Sequence, residues 1–199
     1  MAANATLRQL GGLTDQPASL ADSTLIMIDC QNTYTRGVME LEGVQAALDQ
    51  AAELLDRARS ARIPIMHIMH DGGAGSPYDV GDDIGQIVGR VAPRAGEPTI
   101  VKTYPNAFIG TDLDERLTAG PGRDLILAGF MTHMCVNSTA RGAFSLGYRP
   151  AVAAGATATR ALPDPTGESV PAAALQAASL ASISDLFGVV VPTAGSIPD

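Results

Sequence analysis

Six short apolar runs recur along the chain, and longer stretches with helical spacing separate most of them. Thr24 to Asp29, TLIMID, is apolar on every side and predicts a buried strand. Val44, Ala47, Leu48, Ala51, Leu55 and Ala58 follow at helical intervals, so Gly43 to Arg62 predicts a helix that Pro64 ends. IMHIMH (residues 65–70) and TIVK (99–102) predict the second and third strands, and Asp112 to Leu117 a short helix. DLILAG (124–129) predicts the fourth strand. Val136, Ala140, Ala143 and Phe144 share one helical face, with Gly147 as its C-cap. PAVAAG (150–155) reads as a fifth strand, Glu168 to Leu186 as a long helix, and FGVVV (187–191) as a sixth strand. Strands alternating with helices predict an α/β fold, a three-layer α/β/α sandwich around a mostly parallel six-stranded sheet.

Two segments break the alternation. Residues 71–98 are rich in Gly and Pro, and a connection this long in a compact domain is expected to be a lid or binding loop. Residues 1–22 precede the first strand and read as an N-terminal arm, which leaves 23–199 as one domain. The 199 residues suit that organisation, since single domains commonly hold about 100–200.

Composition narrows the function. Apolar residues make up 46%, which fits a packed globular core. The net charge of −8, the scattered basic residues and the absence of Trp argue against nucleic acid as a partner. No apolar run approaches the roughly 18 residues of a membrane span, and the first residues lack the pattern of a secretory signal. The expected location is the cytoplasm, with Cys30 and Cys135 as free thiols and not a disulfide.

In an open parallel sheet, ligands bind beyond the carboxyl ends of the strands. Asp29 ends the first strand and Lys102 the third, while Cys135 follows the fourth where the chain turns into a helix. Taken singly, each has a plain structural reading as a turn residue, a solvated amine or a small core side chain. Together at one sheet edge they form a chemical set. A thiol is nucleophilic as thiolate, an ammonium and a helix N-terminus stabilise that thiolate, and a carboxylate can carry its proton. On these grounds Cys135 is expected to be more reactive than Cys30, with Lys102 lowering its pKa and Asp29 opposing that effect.

These residues also lie in motifs. LIMIDCQNTY, IVKTYPNAFIGTDLDERL, LAGFMTHMCVNSTARGAFSLGY and ATATRAL resemble, in order, the successive motifs of the isochorismatase-like superfamily. The resemblance spans roughly residues 23–192. It implies a cysteine hydrolase cleaving a carbon–nitrogen bond of a small molecule, usually as a homo-oligomer. It implies Asp29 as general base, Lys102 as electrostatic partner and Cys135 as nucleophile. The backbone N–H groups of Met131 and Cys135 match the oxyanion hole, and the Phe130–Met131 peptide matches a bond that is cis in the family. Gln31, Tyr34, Tyr104, Asn106, Phe108 and Phe130 flank the motifs and are expected to line the substrate pocket.

Other readings rank lower. Nicotinamidases of this superfamily carry an Asp-x-His metal motif after the first strand; here that stretch is TRGVMELEGV, so no metal and no other cofactor is expected. His67 and His70 lie three apart on a strand and point to opposite faces. His133 is two residues from Cys135, too tightly placed for a papain-like pair, and reads as a pocket or interface residue. An isochorismatase-type vinyl-ether hydrolase would need no thiol. A thiol-bearing binding or redox-sensing protein would need neither Asp29 nor Lys102.

Overall fold

The computed structural model describes residues 5–120 and 122–199. A single sheet of six strands organises it: β1 (Ser23–Ile28), β2 (Ile65–His70), β3 (Thr99–Lys102), β4 (Asp124–Phe130), β5 (Arg149–Ala158) and a last strand, Val189–Val191. A two-stranded hairpin, β6 (Leu162–Pro163) with β7 (Ser169–Val170), makes the last strand β8 in chain order. The large sheet runs β3-β2-β1-β4-β5-β8, and every pairing in it is parallel. From β1 the chain adds strands toward one edge through β2 and β3, then returns to the other side of β1 with β4. The order therefore reverses between β1 and β4, and a crevice opens beyond their carboxyl ends.

Helices cover both faces. α1 (Leu7–Leu10) lies in the N-terminal segment; α2 (Val44–Ala61), α3 (Leu113–Thr118), α4 (Asn137–Ser145) and α5 (Ala172–Leu186) follow. Leu25 and Met27 of β1 pack with Leu48, Leu54 and Leu55 of α2, all buried. Ile26 and Ile28 face the opposite layer, against Leu113 of α3, Ala140 of α4 and Ile183 of α5. This is why TLIMID carries no polar position before Asp29: both faces of β1 are core. Burying a leucine such as Leu48 contributes about 1.5–3 kcal/mol.

The boundaries differ from the sequence expectations in instructive ways. β5 runs to Ala158, beyond the predicted Gly155, because its register against β4 jumps from Leu127↔Val152 to Gly129↔Thr157. Three extra residues bulge out and the strand then resumes. α5 begins at Ala172, not Glu168, since Pro171 is its N-cap and Ser169–Val170 is spent in the hairpin. The expected arm at 1–22 extends beyond the described residues at 1–4. From Leu7 onward it is tied to the end of α5, where Leu7 N donates to Asp185 Oδ1 and Arg8 to Leu186 O, and Arg8 also donates back to Thr14 O.

Residues 71–98 contain two short 3-10 turns, Asp83–Gly85 and Gly89–Val91. The segment is pinned across the end of β1: Asn32 N donates to Gln86 O and Val88 N to Cys30 O, each at 2.8 Å. It is a fastened cover over the carboxyl edge. Among the described residues, no helix is long and apolar enough to cross a membrane.

Candidate active site

Three elements deliver the reactive groups to the reversal point. Asp29 follows β1 with φ 47°, a left-handed conformation that Asp tolerates better than most residues. Its N–H donates to Ile68 O of β2 at 3.0 Å. Lys102 is the last residue of β3. Cys135 lies in a single π-helical turn, Thr132–Val136, that leads into α4; Met134 N and Val136 N both donate to Met131 O there. Such turns widen a helix where a side chain must be placed off the regular path.

The close approach of β1 to β4 depends on Gly129. It has φ +117°, and a Cβ there would lie 1.9 Å from Ile28 O. The next peptide, Phe130–Met131, is cis. The Met131 N–H has no hydrogen-bond partner among the described residues.

Asp29, Lys102 and Cys135 meet out of solvent. Lys102 Nζ is 2.8 Å from Asp29 Oδ2 and 3.4 Å from Cys135 Sγ. The side chains of Asp29 and Lys102 are fully buried. Asp29 Oδ2 meets the ammonium off the aligned hydrogen-bond direction, and Oδ1 has no partner among the described residues. The pair is thus chiefly Coulombic, with one carboxylate oxygen left over. A further residue joins the cluster: His70, the last of β2, has Nδ1 3.2 Å from Lys102 Nζ. Strand alternation separated it from His67, which instead pairs with Glu97 at 3.1 Å. No sequence motif singled His70 out; its position at a strand end, like Asp29 and Lys102, was the available signal.

Burial dominates the titration of the set. It raises the Asp29 pKa, with Lys102 opposing. It also pushes the Cys135 thiol up to about 12; Asp29 adds to the rise, and Lys102 lowers it by less. Lys102 lowers the pKa and Asp29 opposes it, and desolvation of the thiolate, which the sequence alone did not weigh, outweighs the single ammonium. Burial lowers the His70 pKa, and Lys102 lowers it further.

The six residues expected to line a pocket are placed apart. Gln31 is fully buried, and its amide is spent on backbone: Nε2 donates to His70 O and Gly85 O, while Oε1 accepts from His70 N. Tyr34 and Phe130 are buried and meet edge to face at 5.7 Å. Asn106 and Phe108 line a surface cleft with Ser138, Arg141 and Gly142, on the outer side of α4. Tyr104 is largely exposed. His133 Nδ1 contacts Thr159 Oγ1 at 2.5 Å, away from the thiol. Among the described residues, no group of three His, Cys, Asp or Glu side chains is arranged to hold a metal ion.

A buried carboxylate, ammonium and thiol at the reversal point of a six-stranded parallel sheet, covered on both faces, define the class: a three-layer α/β/α protein with a thiol-bearing site at its carboxyl edge. The chain belongs to the isochorismatase family, whose domain matches residues 23–195. It is 33% identical, over 94% of its length and 96% of the relative's, to the secreted isochorismatase effector of Verticillium dahliae. It is similar to streptothricin hydrolase of Streptomyces noursei at 30% identity, over 87% of this chain and 63% of that one. A crystal structure of an isochorismatase from Pseudomonas putida superposes with a TM-score of 0.94 at 37% identity, covering 98% of this chain and all of that one. Members of the family are hydrolases, some of them acting as amidohydrolases.

Proposed function

We propose that the chain is a cysteine hydrolase that cleaves an amide, lactam or ureido carbon–nitrogen bond of a small molecule through a thioester on Cys135. The observation that carries this reading is Lys102 Nζ held between Asp29 Oδ2 and Cys135 Sγ in a buried site. Asp29, with its raised pKa, is a suitable acceptor for the thiol proton. The thiolate then attacks the carbonyl carbon, and the oxyanion is received by the N–H groups of Met131 and Cys135, a stabilisation worth about 3–4 kcal/mol per donor. Collapse expels the amine or ammonia with the proton from Asp29, and water hydrolyses the thioester. Relatives named maleamate amidohydrolase and ureidoacrylate amidohydrolase support this bond class.

The test is a panel of small amides and ureides with detection of released amine, alongside intact mass after rapid acid quench. An acyl adduct on Cys135 and loss of turnover in Cys135→Ala are expected. Near-normal turnover in that variant would overturn the covalent route. It would favour the second reading, isochorismatase-type vinyl-ether hydrolysis by Asp29 and Lys102 alone, for which the protonated resting thiol speaks.

The working form in this reading is a homo-oligomer in the cytoplasm, where two free thiols are at home. The exposed Tyr104, Ile109 and Met134, in the segments that carry Lys102 and Cys135, supply apolar surface for a second copy. Light scattering returning a monomer mass at micromolar concentration would remove the oligomer.

A further inference from the structure

We infer that His70 is a positioning residue which, through its unprotonated Nδ1, holds the Lys102 ammonium in register with Asp29 and Cys135. This rests on the cysteine-hydrolase reading above and extends it to a fourth residue. An ammonium carries three N–H donors and no acceptor. Around Lys102 Nζ stand three groups, two from strand ends and one from the turn into α4: Asp29 Oδ2 at 2.8 Å, His70 Nδ1 at 3.2 Å and Cys135 Sγ at 3.4 Å. His70 Nδ1 and Cys135 Sγ each take a hydrogen bond from the buried ammonium, and Asp29 Oδ2 supplies the opposite charge. With one acceptor missing, a donor would be left unpaired in a dry site, which disfavours the charged form of lysine.

The donor logic settles the tautomer. Lys102 can only donate, so Nδ1 accepts and Nε2 carries the ring proton. The imidazole is held in that pose from two sides. Gln31 takes both backbone groups of His70, accepting from its N–H and donating to its C=O, each at 2.9 Å. Tyr78 of the covering segment meets the ring edge to face at 5.1 Å.

Protonating His70 would remove the acceptor and place a second cation against Lys102. The charged and titratable groups around it are Lys102, Asp29, Asp71, Tyr78 and, across the ammonium, Cys135. Burial and Lys102 hold the ring neutral, while Asp29 and Asp71 pull the other way. Where His70 gains its proton, the Lys102 ammonium loses this acceptor.

The experiment needs no substrate. Cys135 is alkylated by iodoacetamide in the full-length protein, and its rate is followed by peptide mass spectrometry from pH 5.5 to 8.5. Four proteins are compared: wild type, Lys102→Ala, His70→Leu and His70→Asn, with thermal melts as a check on folding. Asn keeps a short acceptor near the Nδ1 position but does not titrate. At pH 7.5, His70→Leu is expected to slow alkylation at least tenfold, and His70→Asn to recover most of that loss. Wild type is expected to fall more steeply than His70→Asn on the acid side. If Lys102→Ala slows alkylation while both His70 variants match wild type in rate and slope, the positioning role is overturned and the triad stands. If Lys102→Ala itself leaves the rate unchanged, the ammonium does not act on the thiol and the underlying reading falls.

Discussion

Gln31 binds His70 as a neighbouring strand would, with one side-chain amide satisfying both the N–H and the C=O of that residue. Its remaining donor reaches Gly85 O at 2.6 Å, so the same side chain joins β1, β2 and the covering segment. The Asp-x-Gln spacing follows from this: Asp29 turns toward the ammonium, and Gln31, two residues on, braces the strand end beside it. Gln31→Leu leaves His70 N–H, His70 C=O and Gly85 C=O without their partners. A loss of about 2–4 kcal/mol in chemical denaturation is expected, by the cost of unsatisfied buried groups. A loss below about 0.5 kcal/mol would mean that water replaces the brace.

The strands were legible because β1, β2 and β4 are buried runs bounded by turn residues, and Asp29, Lys102 and Cys135 stood out because they sit at strand or helix ends. What escaped notice depended on tertiary partners. Nothing local distinguishes His70, which meets Lys102, from His67, which meets Glu97. The bulge in β5 arises from its pairing with β4 and leaves no mark in an alanine-rich stretch. Gln31 and Tyr34 follow Asp29 closely in sequence and are buried, whereas Asn106 and Phe108 line a cleft beside α4, a separation that no local pattern announces.

Gly129 is expected to tolerate no side chain. Its φ of +117° alone would cost an alanine about 1–3 kcal/mol, the order of holding a side-chain-bearing residue in a sparsely populated backbone region. The overlap with Ile28 O at 1.9 Å is with backbone in the middle of the sheet and cannot be relieved by a rotamer change. Gly129→Ala should therefore yield little soluble protein. Gly147 serves as the control: its φ is +83°, but nothing lies within 4 Å of the added Cβ. Gly147→Ala should fold with a modestly lower Tm, and equal behaviour of the two variants would show that conformation, not contact, governs both.

Acid stability should depend on Glu97. It accepts from Arg59 through Nε and Nη2 at 2.7 and 2.8 Å, from Arg94 N at 2.8 Å, and it contacts His67. His67 is kept neutral by burial, so Arg59 supplies the charge in this cluster. The Arg59 fork and these bonds hold the Glu97 carboxyl at about 2, below its ordinary 4.5. A carboxyl with a depressed folded pKa stabilises the native state above its unfolded pKa, and that stability is lost as pH falls toward the folded value. The wild type should thus lose stability from Glu97 between about pH 4.5 and pH 2. Glu97→Gln should lose about 2–4 kcal/mol at pH 7, since Arg59 keeps its charge with only the exposed Asp56, at 3.8 Å, as a counterion, and should show a flatter profile through the acid window. An unchanged acid profile would assign the wild-type loss to other carboxyls.

The thiol prediction follows from the balance at Cys135. Both cysteines are buried and free. Among the described residues Cys30 has only Ile28 O within reach of its sulfur, at 3.8 Å, and its pKa is raised by burial. Cys135 also sits high, about 12, yet it has the Lys102 ammonium at 3.4 Å, which favours a thiolate and has no counterpart at Cys30 among the described residues. The resting protein should therefore resist brief iodoacetamide treatment at pH 7 better than an ordinary cysteine, whose pKa is about 8.5. The labelling that does occur should fall on Cys135 ahead of Cys30. From pH 7.5 to 9.5 the Cys135 rate should rise by about tenfold per pH unit with no plateau, as a thiol titrating above that window requires. A plateau below pH 8 would mean that Lys102 and the turn into α4 outweigh burial, and that the Cys135 thiol is charged in the resting protein.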